Sequence, residues 1–199
     1  FGFYFGAHPL TPYLPFIKFM DITNSSDLVY IEEAREINLC GFPADIKIMK
    51  GKNGVEYFQV EFEDLYGTFK VNVFGEILEK FKNNFKEEKV YYIKGLYSPL
   101  NSSKKGIIKA VEIIDMDKII KNRFKKMVIV INTNEIEKED IKKLKEIISK
   151  YKGDKELWFE IKEEGRIYIY RAKGFYVNPD YRLFDEIKEI IGEERVILR

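Results

Sequence analysis

Twelve residues between Lys47 and Lys109 are of the types that hold a nucleic-acid strand. Lys47, Lys50, Lys52, Lys70, Lys94, Lys104, Lys105 and Lys109 can neutralise phosphates and release their counterions. Tyr57 and Tyr97 offer rings on which a base can stack, and Gln59 and Asn72 offer amides beside them. Other chemistries are poorly supplied. The 199 residues include one histidine, His8, and one cysteine, Cys40. Neither a zinc site of ordinary His/Cys ligation nor an internal disulfide can be assembled from them. There is no phosphate-binding loop and no G-x-S-x-G, so no catalytic site, cofactor or metal is expected. Cys40 alternates within an apolar strand and reads as a packed small hydrophobe. A plainer reading of the twelve stays open: lysines that keep a strand face soluble, beside Glu61 and Glu63, which repel phosphate.

The formal net charge is +1, with 45% hydrophobic, 34% charged and 15% aromatic residues. Global basicity therefore cannot drive binding; only local clustering can. No apolar run approaches the ~18 residues that span a bilayer. A single cysteine and the lack of a signal peptide suit a cytoplasmic protein. The abundance of Lys, Glu and Ile resembles thermophile proteins. The opening "FGFYFGAHPL" has no initiating Met, so the chain reads as a segment of a longer protein.

The elements that must position these residues follow from periodicity. Residues 1–33 are rich in Pro, aromatics and Ser, and read as a connector with one short helix near Asp27 to Glu33, capped from "NSSD". Residues 34–117 read as strands. "EINLCGFPADIKIM" switches buried parity from Ile37 and Leu39 to Ala44, Ile46 and Ile48, which requires a β-bulge at Gly41-Phe42-Pro43. "YFQVEFED" and "TFKVNVF" bury Phe58, Val60, Phe62, Phe69, Val71 and Val73. "GEILEKFKNNF" puts Ile77, Leu78, Phe81 and Phe85 on a helical face. "KVYYIKGLYS" and "IIKAVEIID" complete five strands with a helix between the third and fourth, the order of an OB-fold β-barrel. The outward surface of strands two and three, with the 1–2 and 4–5 loops, then carries eight of the twelve, with Lys47 on strand one, Lys94 and Tyr97 on strand four and Lys109 on strand five.

Residues 118–126 form an acid-free basic linker. Residues 127–199 follow the order β-α-β-β-α-β, a small α+β domain of ferredoxin-like type. Its first helix presents Ile141, Leu144, Ile148 and Tyr151 and ends at Gly153; its second starts with Asn178 as N-cap and Pro179, and closes at Gly192. Trp158, Tyr168, Tyr170, Phe175, Tyr176 and Tyr181 exceed the needs of so small a core and are candidate partner-binding residues. The alternative, that they fill the core, stays open.

Several phrases carry a family resemblance. "FGFYFGAHPLTPY", then "GKNGVEYFQVEFEDLYGTFKVNVFGEILEKF", "VYYIKGLYS" and the closing "GFYVNPDYRLFDEIKEIIGEERVIL" together resemble the C-terminal third of the alpha subunit of bacterial DNA polymerase III. The likeness spans nearly the whole chain in order. The hairpin phrase is shared with anticodon-binding OB domains; "GFYFGAHPL" is far more specific. The resemblance implies an OB domain that handles single-stranded template DNA and a C-terminal domain that docks on the tau subunit of the clamp loader, within the polymerase holoenzyme. It implies that the catalytic carboxylates of this DNA-directed DNA polymerase lie upstream. His8 falls in the family's "GHP" phrase and reads as a turn residue. Two alternatives remain open: a tRNA-binding OB domain of a synthetase-like protein, and a pure protein-interaction module.

Overall fold

A computed structural model describes residues 8–100 and 106–199. They divide into two compact units, residues 8–13 with 20–119 and residues 14–19 with 120–199. The short excursion 14–19 carries a four-residue helix, α1 (Leu14–Ile17).

The first unit contains β1 (Arg35–Lys50), β2 (Glu56–Asp64), β3 (Gly67–Val73), α2 (Gly75–Asn84), β4 (Tyr91–Ser98) and β5 (Ile107–Asp115). The strands pair in the order β1-β2-β3-β5-β4 and close into a barrel. With α2 between β3 and β4, this is the expected OB arrangement. Val60, Phe62, Phe69, Val71, Val73, Leu39 and Ile93 fill the interior, and Leu78 and Phe81 of α2 pack against them. Burying each of these side chains contributes about 1.5–3 kcal/mol.

The expected bulge is present, one residue past Gly41-Phe42-Pro43. Pro43 pairs with Phe62 and Asp45 with Glu61, which leaves Ala44 unmatched. Gly41 is required just before it, since a Cβ there would meet the Phe62 Cβ at 2.8 Å and the Phe69 ring at 3.0 Å. Beyond the bulge the expected burial holds only for Ile46, which is half-buried against the core. Ala44 is exposed and Ile48 is 65% exposed, because the outer half of β1 pairs only with β2 and runs clear of the closed part of the barrel.

The connector is held by polar contacts that periodicity does not reveal. Asp64, buried at the end of β2, accepts from the Ser25 N–H and hydroxyl, each at 2.7 Å, and from the Tyr66 N–H at 2.8 Å. The expected helix near Asp27 is a single 3-10 turn, Asp27–Tyr30, and no side chain caps it. His8 accepts the Leu10 N–H on Nδ1 at 3.1 Å, the turn role its position suggested.

The second unit includes the end of α3 (Met116–Arg123), then β6 (Lys126–Asn132), α4 (Lys138–Lys150), β7 (Lys152–Glu163), β8 (Arg166–Val177), α5 (Tyr181–Ile191) and β9 (Val196–Leu198). The basic stretch expected to be a linker is thus mostly helical. Met116 and Phe124 are buried, whereas Lys118, Lys121 and Arg123 form the exposed face. Residues 125 and 126 pair with the Arg199 carbonyl.

The element order β-α-β-β-α-β is as expected, but the ferredoxin-like assignment is not. That arrangement splits the βαβ unit with an intervening strand. Here β6 and β7 are direct, parallel neighbours, and the sheet order is β8-β7-β6-β9. Two caps also move. Asp180, not Asn178, caps α5 by accepting the Arg182 N–H at 2.9 Å. Gly153 lies inside β7 rather than ending α4; a Cβ on it would meet the Asn178 backbone at 2.5 Å.

Candidate nucleic-acid interface

The outward parity of the barrel strands forms a lateral row. Lys47 of β1 pairs with Gln59 of β2, Gln59 with Asn72 of β3, and Asn72 with Lys109 of β5. Two amides therefore lie between two lysines on one face. Gln59 donates from Nε2 to Asn72 Oδ1 at 3.2 Å, which fixes both amides and leaves their remaining donors and acceptor for a ligand.

Beside this row lies an aromatic pair. The Tyr57 ring stacks on Phe74 with centroids 4.5 Å apart and 24° between planes. Lys109 Nζ lies 5.7 Å from the Phe74 centroid. Phe74 precedes Gly75 at the start of α2, where strand alternation gives no sign of its direction. Leu96, opposite Lys109 on β4, is an exposed apolar residue next to this row.

Tyr97 is a correction. It is 2% exposed, donates to the Leu28 carbonyl at 2.7 Å and accepts the Gly106 N–H at 2.9 Å. Lys94 and Tyr97 have opposite parity on β4, whose burial alternates from Lys94 to Ser98, so both could not face outward. Lys104 and Lys105 lie outside the described residues.

The lysines differ in electrostatic condition. Lys47 meets Asp45 at 3.4 Å, Lys50 meets Glu56 at 3.9 Å, and Lys70 meets Glu61 at 3.4 Å. Lys94 meets Glu36 at 2.9 Å, and that hydrogen bond raises its pKa. Such exposed pairs contribute little because solvent and salt screen them, so an incoming phosphate can displace them. Lys52 and Lys109 carry no carboxylate partner among the described residues. Among those residues no group of His, Cys, Asp and Glu is placed to hold a metal ion, and no helix is long and apolar enough to cross a membrane.

In the second unit the candidate partner-binding residues separate by strand. On β8, Tyr168 stacks near Tyr170 at 6.5 Å, and Tyr170, Phe175 and Tyr176 are exposed. Trp158 donates from Nε1 to Glu156 at 2.9 Å and has Lys126 5.0 Å from its ring. Tyr181 is half-buried beside Arg182. Alternation missed Ile167 and Ile169, exposed at 60% and 62%. Both sit on the sheet's edge strand, where a branched apolar residue normally signals burial.

No protein-family model matches the chain. It is 24% identical over 200 residues to the DNA polymerase III subunit alpha of Pasteurella multocida, which covers 99% of this chain. It is 24% identical over 202 residues to that of Buchnera aphidicola and 22% over 201 to that of Bacillus subtilis, each covering 100% of this chain. The chain spans 17% of the length of these curated relatives. Among solved structures, a mitochondrial single-stranded DNA binding protein of S. cerevisiae is 9% identical, covering 42% of this chain and 97% of its own, at a TM-score of 0.38. An aspartyl tRNA synthetase of Entamoeba histolytica is 12% identical, covering 68% and 28%, at 0.38. Neither likeness is close enough to bear on function. The family resemblance carried by the sequence phrases is matched by alignments that run from end to end: over its whole length the chain is similar to one segment of these DNA polymerase III alpha subunits.

Proposed function

We propose that this chain is a non-catalytic segment of a replicative DNA polymerase, in which the barrel guides single-stranded template DNA and the second unit docks a protein partner. The observation that carries the first half is the row Lys47-Gln59-Asn72-Lys109 beside the stacked Tyr57–Phe74 pair. Lysines at both ends meet phosphates, the amides meet base edges, and the ring pair gives one base a stacking surface. The phosphate contacts and the stacking carry most of the binding and read no particular base, so binding is largely sequence-tolerant.

Local carboxylates hold the field down, so binding is weak and fades near physiological salt. Anisotropy titration of labelled oligo-dT, with folded tRNA as competitor, tests this reading. Oligo-dT binding that tRNA displaces only at a large excess is expected. Tighter binding of tRNA would favour the anticodon-domain alternative, and binding of neither would leave a protein-interaction module.

For the second unit, the supporting observation is the exposed apolar surface of β8, with Ile167, Ile169, Tyr170, Phe175 and Tyr176. Its partner in this reading is the tau subunit of the clamp loader, which the family resemblance implies. DNA synthesis itself belongs, in this proposal, to catalytic carboxylates elsewhere in the polymerase.

A further inference from the structure

Beyond Lys109 the barrel wall opens. β3 and β5 pair only at Val71 with Ile108 and Asn72 with Lys109, because β3 ends at Val73 and the chain turns into α2. The rest of β5 keeps β4 on one edge. Between α2 and this part of β5 lies a cavity of about 540 Å³.

Its chemistry differs from that of the platform. Lys80, Lys86 and Lys118 line it, all three are exposed, and none has a carboxylate partner among the described residues. Two carboxylates also line it, Glu112 and Asp115, and Asp115 is engaged by Lys89 at 3.6 Å. Cations therefore outnumber the unengaged acid three to one, whereas Lys47, Lys50, Lys70 and Lys94 each face a carboxylate. Asn84 adds an amide, and Phe85 and Val111 supply apolar wall. Uncompensated lysines ask for an anion. An apolar wall beside them suits the base or sugar of a nucleotide better than a bare phosphate.

The cavity is also continuous with the platform. Phe74 immediately precedes α2, Lys109 and Val111 are both on β5, and Ile77, Lys80 and Asn84 follow at i, i+3 and i+7 on one face of that helix. We propose that this cavity is a second nucleotide subsite, taking a nucleotide unit of a single strand that has crossed the platform. The proposal rests on the platform reading above and extends it around the barrel.

The test is the dependence of affinity on strand length. Labelled oligo-dT from ~4 to ~16 nucleotides, the range of OB-fold site sizes, is titrated against the chain at several salt concentrations. The variants are Lys80→Ala/Lys86→Ala/Lys118→Ala and, separately, Lys47→Glu/Lys109→Glu. The triple variant should bind the shortest strands as the parent does, lose ~10-fold or more on the longest, and flatten their log–log salt slope by up to about 2, at roughly 0.7 per phosphate. The platform variant should weaken every length. Equal binding of long strands by parent and triple variant, with the platform variant still impaired, would overturn the subsite and leave the platform standing. Absence of binding at any length would overturn both. Binding of a polyglutamate peptide that the triple variant abolishes, without any change in DNA binding, would assign the cavity to an acidic protein segment instead.

Discussion

Tyr57 does two jobs that one substitution can separate. Its ring packs on Phe74, and in the proposed interface the same pair stacks a base. Tyr57→Ala should weaken oligo-dT binding by about 1–3 kcal/mol, the usual worth of one stacked base, while leaving the salt slope unchanged because no charge is removed. Tyr57→Phe should restore most of the loss, and anisotropy titration of both variants measures it. Asp117 makes a different kind of claim. Burial alone would raise its pKa, but hydrogen bonds from Lys89 and from Tyr13 at 2.9 Å outweigh that and hold the carboxyl below its usual range. A folded-state pKa below the unfolded value adds stability that is fully present above pH ~4 and is lost as pH falls through the folded value. Asp117→Asn should therefore flatten the acid limb of the first unit's stability curve while lowering stability at neutral pH. Denaturant titrations from pH 3 to pH 7 on both proteins would show it.

At the scale of elements, β8 is the least self-sufficient piece. Ile167 and Ile169 project from an edge strand with more than half their surface exposed. Ile167→Asp with Ile169→Asp should cost the fold little and should abolish capture of purified tau by the full chain. Undiminished capture would move the docking surface elsewhere. This strand also marks where sequence reading stops. Strict alternation located β2 and β3 and their inward residues, because a two-residue period buried on one side admits one register. The bulge was legible for the same reason: Ile37 and Ile46 cannot face inward on an uninterrupted strand. Tyr97 was misplaced although alternation with Lys94 contained the answer; a tyrosine on a half-polar strand invites the outward reading until its hydroxyl's partners are known. Phe74 could not be assigned at all, since it stands where strand period ends and helix period begins. Strand order in the second unit was equally hidden, because the same element order serves a split and an unsplit βαβ unit.

The whole molecule has two separate cores. The barrel core gathers Leu28 to Ala110, while Met127, Ile129, Leu157, Leu183 and Ile187 are buried in the second unit. The second unit recruits chain from outside its own sequence span: Phe16 lies 5.6 Å from the Phe184 ring and 6.3 Å from Phe124. Phe124→Ala should destabilise this unit by about 3–5 kcal/mol. Scanning calorimetry should then show one of two transitions fall while the other keeps its midpoint; a single transition moving as a whole would deny the separate cores. The central claim is that a single strand of DNA lies across the row from Lys47 to Lys109. The most direct measurement is the salt slope of oligo-dT binding for the parent and for Lys47→Glu/Lys109→Glu. Loss of two phosphate contacts should reduce the log–log slope by about 1.4 and weaken binding at every salt concentration tested. An unchanged slope and affinity would contradict the account and give the outward face of the barrel to solubility or to a protein.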